Sequence, residues 1–165
     1  MAKIQRIAPC LWFDSQAEEA AKFYVGIFKD SKITAISRYS KAGFEIHRRP
    51  EGSVMTVAFK LDGQPFTALN GGPIFKFNEA VSLQVYCATQ KEIDHYWQRL
   101  GEGGDPRARQ CGWLKDKFGL SWQVAPAGME KMLKDHRSAK AQRVMAAVMQ
   151  MKKFDLAALK RAYDG

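Results

Sequence analysis

Residues 7–13, IAPCLWF, hold leucine and phenylalanine at every second position, and residues 14–28 then change to helical spacing. A period of two reads as a half-buried strand and a period near 3.6 as an amphipathic helix. Ser15 and Glu18 form the S-x-x-E pattern of a capping box at the change. The plan returns in residues 81–101, where VSLQVYC alternates and Thr89 with Glu92 repeats the box. Three strand candidates follow the first helix, at 32–40, 53–63 and 64–72. Gly, Pro, Asp and Asn mark their boundaries. The polar stretch 40–52 reads as a loop or an extended hairpin. After the second helix, 106–114 and 120–124 read as strands, with one more short strand between or before them. The simplest reading is β-α-β-β-β twice, stopped at Pro126.

The remainder reads as helical: 127–135, then 138–153 with Ser138 at its cap, then 156–165 with Asp155 at its cap. Ala141, Val144, Val148 and Met151 recur at helical spacing, as do Leu156, Leu159 and Tyr163. No Gly/Ser linker precedes these helices, so they are expected to pack back on the sheet or on a partner subunit.

Alternation also sorts the strand residues by face. Leu83, Val85 and Cys87 should face a helix, leaving Ser82, Gln84 and Tyr86 on the other side. Leu11 and Phe13 match the helix side, and Ala8, Cys10 and Trp12 the other. In the last strand Leu120, Trp122 and Val124 oppose Ser121, Gln123 and Ala125. A face that mixes polar and aromatic groups suits a pocket, with a subunit contact as the structural alternative. Asp116–Gly119 makes the turn of the closing hairpin, with Trp113 near its rim and Trp122 in the core.

Composition narrows the setting. The 165 residues, 46% hydrophobic and 26% charged, suit one domain or two small repeats. No stretch approaches the roughly 20 apolar residues of a membrane span. Residues 1–14 lack the apolar core of a signal peptide. Cys10, Cys87 and Cys111 are an odd set without C-x-x-C spacing, which fits reduced thiols and a cytoplasmic location. The formal charge of +9 is carried largely by the tail, where lysines and arginines outnumber Glu130, Asp135, Asp155 and Asp164. Such charge attracts polyanions in general. Basic residues are not interleaved with aromatics here and no nucleic-acid motif occurs, so a nucleic-acid partner is not expected.

Catalytic patterns are sparse. No G-x-S-x-G occurs. Gly101–Gly104 follows a helix, and Asn70-Gly71-Gly72 leads into Pro73, so neither forms the strand-to-helix glycine turn of a nucleotide-type cofactor. Cys111 has no adjacent histidine, and His47, His95 and His136 share no strand with another donor.

Taken together, FDSQAEEAAKFYVGIF, FTALNGGPIF, VSLQVYCATQKEIDHYWQRL and CGWLKDKFGLSWQVAP resemble the vicinal oxygen chelate superfamily, the glyoxalase and bleomycin-resistance fold. The chain is most similar to its PhnB-like branch, often labelled 3-demethylubiquinone 3-methyltransferase-like, and the tail KAQRVMAAVMQMKKFDLAALKRAYDG resembles the same branch. The resemblance implies an α+β fold. Two βαβββ modules, about 1–75 and 76–126, would form a cup-shaped, barrel-like mixed sheet. A helical extension over 127–165 would follow, and the assembly would be a homodimer. Metal-using members take His, Glu or Gln ligands from the first, fourth, fifth and eighth strands. Those positions fall near Ala8, at Ala68 or Asn70, at Ser82 and at Gln123. None of these windows offers His, Asp or Glu, and Cys10 is the one strong donor nearby. The expectation is therefore a metal-independent, small-molecule-binding protein without a cofactor. Cys10, Trp12, Asn70, Ser82, Gln84, Tyr86, Trp113 and Gln123 would line its ligand site. The alternatives are a metal-dependent enzyme of the superfamily with atypical ligands, and a polyanion or nucleic-acid binder acting through the tail.

Overall fold

In a computed structural model, residues 5–165 are described. The start of the N-terminal stretch read as free of a signal peptide, residues 1–4, lies outside the described residues. The fold is α+β, built on a strand–helix–strands plan that occurs twice and is followed by helices. The chain divides into two compact units, Met1–Lys76 and Phe77–Gly165.

The first unit contains β1 (Cys10–Phe13), α1 (Ala17–Val25), β2 (Lys32–Arg38), α2 (Phe44–His47), β3 (Val54–Leu61) and β4 (Gln64–Asn70). Its mixed sheet runs in the order β1-β4-β3-β2, with β1 parallel to β4 and the other pairs antiparallel. On α1, Ala17, Ala20, Ala21 and Tyr24 are buried, matching Leu11, Phe13, Val57, Phe59 and Ala68 of the sheet. Tyr24 stacks on Phe59 at 6.4 Å and Phe59 on Phe66 at 5.4 Å. Each large apolar side chain buried in this way contributes about 1.5–3 kcal/mol before entropy is counted. The stretch expected as a loop or hairpin instead holds one helical turn, α2. Gly43 and Arg48 end it on both sides in the left-handed region, at φ 81° and 55°.

The second unit contains β5 (Ser82–Cys87), α3 (Gln90–Leu100), β6 (Trp113–Lys115) and β7 (Ser121–Pro126), then α4 (Met129–Leu133), α5 (Ala139–Gln150) and α6 (Leu156–Asp164). Its sheet has three strands in the order β5-β7-β6, parallel across β5–β7 and antiparallel across β6–β7. The strand expected over 106–114 is shorter than its sequence pattern. Pro106–Ala108 forms a 3-10 turn, whose first N–H bonds Asp105 Oδ1. Regular pairing begins only at Trp113, after a lone bridge from Gln110. The proline has no N–H to give a ladder, and Cys111 and Gly112 both take positive φ, so the chain turns where a strand would run on.

The tail helices pack within this unit. Cys111 N–H and Gly112 N–H donate to the carbonyls of Met151 and Lys152, both at 2.8 Å. Gln90 grips the α5–α6 linker from both ends of its amide, donating to Phe154 O and accepting from Leu156 N–H. Gly112 is required here: a Cβ on it would lie 2.3 Å from the Phe154 ring. Ser138 and Asp155 cap α5 and α6 as their positions predict.

Candidate functional site

Register places the polar side chains of the second unit on one face. Ser82 stands opposite Ser121, Gln84 opposite Gln123 and Tyr86 opposite Ala125. Across the other ladder Trp113 stands opposite Gln123 and Lys115 opposite Ser121. The reverse face carries Cys87, Leu114, Trp122 and Val124, all buried. The alternation expected for β5 and β7 therefore holds.

On the polar face four side chains form a directional chain. Tyr86 OH donates to Gln84 Oε1 at 2.7 Å, Gln84 Nε2 to Gln123 Oε1 at 3.4 Å, and Gln123 Nε2 to Ser82 Oγ at 2.8 Å. Because an amide carries an acceptor at one end and donors at the other, the orientation propagates along the row. An acceptor oxygen remains at the Tyr86 end and a hydroxyl proton at the Ser82 end. Tyr86 is 63% exposed, so its end of the row is open to solvent.

The closing hairpin is fastened by a residue that sequence reasoning placed only in its turn. Asp116 is 2% exposed. Its Oδ1 accepts from Phe118 N–H and Leu120 N–H, and its Oδ2 from Trp122 Nε1 at 2.9 Å. An aspartate that opens a tight turn two residues from such N–H groups is the signal that could have found it. Trp122 is thereby held on the core face, as expected, and Trp113 stays half-buried beside Gln123.

In the first unit, Cys10 and Trp12 are not on the α1 face. Cys10 is exposed, and Trp12 donates from Nε1 to Gly72 O at 2.8 Å and meets Phe75 edge-on at 4.9 Å. Gly71 serves this packing, since a Cβ there would come within 2.1 Å of the indole. The glycine pair after β4 thus seats a tryptophan. Asn70 stands on the α1 side, beside Phe13 in the ladder and 6% exposed. Its Oδ1 accepts from Ala17 N–H at 2.8 Å, its Nδ2 donates to Val54 O at 3.1 Å, and its carbonyl accepts from Tyr39 OH at 2.8 Å. It also borders a cavity of about 330 Å³ with Ser15, Glu18, Arg49, Pro50, Ser53 and Val54.

Burial, and secondarily Glu92, pushes the Cys87 thiol up to about 11, which keeps it protonated and unreactive. Glu79 is held below the usual carboxylate range, first by its hydrogen bond with Lys115. Among the described residues, no group of three or more His, Cys, Asp or Glu is placed to hold a metal ion. No helix among them is long and apolar enough to cross a membrane.

Residues 5–125 match the family model described as 3-demethylubiquinone-9 3-methyltransferase, and the chain belongs to that family, as a PhnB-like member of the vicinal oxygen chelate superfamily. It is similar to a solved PhnB protein of Bacillus cereus that carries the same methyltransferase label. The two are 38% identical over 74% of this chain and 100% of that one, with a TM-score of 0.63. Two fosfomycin resistance proteins share the fold alone. FosX of Listeria monocytogenes, solved with Mn(II) and sulfate, is 14% identical over 82% of this chain and 100% of its own, TM-score 0.51. FosX of Mesorhizobium loti is 14% identical over 80% and 99%, TM-score 0.55. No curated protein matches the chain. The family match ends at residue 125, so α4, α5 and α6 lie beyond it.

The positions where the resemblance puts metal ligands carry no charged donor in this chain. Gln123 and Ser82, at two of the ligand positions, are neutral donors bonded to each other, and Gln123 Oε1 already accepts from Gln84. Neutral amide and hydroxyl oxygens are weaker donors for a first-row divalent ion than imidazole, carboxylate or thiolate.

Proposed function

We propose that the protein is a metal-independent small-molecule-binding protein that takes its ligand on the polar face of the β5-β7-β6 sheet. The directional row Tyr86–Gln84–Gln123–Ser82 carries this reading, because it presents an acceptor at one end and a donor at the other. Trp113 adds a flat apolar surface beside Gln123, and a few placed polar groups next to an aromatic are what orient a small ligand. In the first unit, Cys10 and Trp12 are ligand contacts of this reading on that unit's own sheet, on the face of β1 away from α1. Asn70, which also holds the start of α1, is a ligand contact of this reading in the first unit's own cavity, beside Ser15 and Arg49. The protein works in the cytoplasm as a homodimer in this reading. Exposed Ile7, Ile74 and Phe75 support association, and light scattering at micromolar concentration tests it.

Screening a fragment library by NMR, followed by Gln123→Ala, tests the site. The variant is expected to lose about 1 kcal/mol of stability or less, while a fragment bound at the row weakens about three- to tenfold. Parallel losses of stability and binding would make Gln123 a structural residue. Elemental analysis of untagged protein after incubation with zinc, manganese, nickel and iron(II) tests the metal-dependent alternative, which stoichiometric metal with a raised melting temperature would favour.

The polyanion reading is weakened by how the tail's cations are engaged. Arg143 donates to the carbonyls of Ala162 and Tyr163 at the end of α6. Lys140 lies over the Tyr163 ring, Lys153 pairs with Asp94 and Lys160 with Asp164.

A further inference from the structure

Ser121 begins β7 and is 1% exposed, yet its Oγ has no hydrogen-bond partner among the described residues. A buried hydroxyl left in this way is costly, and an acceptor brought by a ligand would relieve that cost. Directly across the ladder stands Lys115, whose side chain is 25% exposed and pairs with Glu79. Glu79 lies in the turn before β5 and its side chain is 64% exposed. These three residues line a cavity of about 330 Å³ with Ala108, Trp113 and Leu114. The cavity adjoins the amide row, because Trp113 stands opposite Gln123 and Ser121 opposite Ser82.

We propose that this cavity is a subsite for a carboxylate-bearing small molecule: the ligand's carboxylate replaces Glu79 on Lys115, accepts a hydrogen bond from the Ser121 hydroxyl, and leaves the ligand's body along Trp113 toward Gln123. This rests on the reading of the same sheet face as the binding surface. The protein's own Glu79 side chain shows the chemistry that Lys115 accepts. One ammonium beside one hydroxyl matches a singly charged planar anion, whereas a phosphate group, at nearly two negative charges, calls for further cations. Ala108 and Trp113 supply an apolar lining for the rest of the molecule.

Benzoate titrated into the full-length ¹⁵N-labelled protein tests the proposal, with four readouts: the Trp113 indole N–H, the Ser121 amide, the Gln84 and Gln123 side-chain amides, and the melting temperature. Saturable shifts at Trp113 and Ser121 are expected. Ser121→Ala should weaken benzoate about three- to tenfold and raise the melting temperature of the ligand-free protein, because the unpartnered hydroxyl is gone. A merely structural serine would lower the melting temperature and leave benzoate unaffected, which overturns the proposal. Lys115→Met should weaken benzoate by about tenfold or more. Glu79→Gln should tighten it up to about fivefold by releasing the ammonium from an exposed ion pair. Absence of saturable shifts at Trp113 and Ser121, in both the native protein and Glu79→Gln, overturns the subsite. Inorganic phosphate acting there at lower concentration than benzoate overturns the carboxylate assignment. Shifts confined to Gln84 and Gln123 would sink the subsite and leave the binding face standing. If instead no fragment moves those two amides while benzoate still shifts Trp113 and Ser121, the broader reading fails and the subsite survives alone.

Discussion

The two helices that follow the first strand of each unit begin with the same kind of sequence, S-x-x-E for α1 and T-x-x-E for α3, and are capped in different ways. At α3 the box closes as written. Thr89 Oγ1 accepts from Glu92 N–H at 3.2 Å, and Glu92 Oε2 accepts from Thr89 N–H at 3.1 Å and Ala88 N–H at 2.7 Å. At α1 it does not close: Gln16 is the N-cap residue and makes no side-chain cap bond. The N–H of Ala17 is met by Asn70 Oδ1, from the end of a strand 53 positions away, and Glu18 pairs with Lys22 at 2.7 Å. Only four residues are needed to state either box, but which box closes depends on whether a better acceptor arrives from elsewhere. Asn70 is better because it is buried and already held by Val54. The contrast separates a helix start that is locally encoded from one that joins three elements of a unit.

Three substitutions probe that contrast. Asn70→Ala should be the most damaging. It leaves Ala17 N–H and Val54 O without partners in a buried setting, for a loss of about 3 kcal/mol in urea denaturation. Thr89→Ala removes one local cap and should cost about 1 kcal/mol by the same measurement. Ser15→Ala should change stability by about 0.5 kcal/mol or less, since Gln16 rather than Ser15 is the N-cap residue of α1. If Ser15→Ala cost as much as Thr89→Ala, the two starts would be equivalent and the contrast would collapse. A small effect of Asn70→Ala would return Asn70 to the expected role of a ligand contact without structural duty.

Much of the architecture was legible in the chain because it depends on short-range periodicity. The two-residue alternation in 82–87 and 120–124 identified the polar face that carries Ser82, Gln84, Tyr86 and Gln123. Ser138 and Asp155 were found as caps because a side chain reaches an N–H only three residues on. The same logic failed at 106–114, where a favourable apolar pattern was overridden by Pro106 and the positive φ of Cys111 and Gly112. It also missed the one-turn helix α2 in a stretch without apolar periodicity.

Tertiary structure decided what pattern could not carry. Alternation places Ser121 and Ser82 on one face alike, but the register across β6 decides that Ser121 sits buried beside Lys115 while Ser82 accepts from Gln123. Nothing near Lys115 in sequence names Glu79, and nothing near Ala17 names Asn70. The residues alone determined the repeated α+β plan, the family and the candidate faces, because periodicity and capping act within a few positions. The partners of Asn70 and Lys115, and the burial of Ser121, were decided only in the folded chain. Hydrogen bonds and burial there depend on which strands lie side by side, and that is a property of the whole unit.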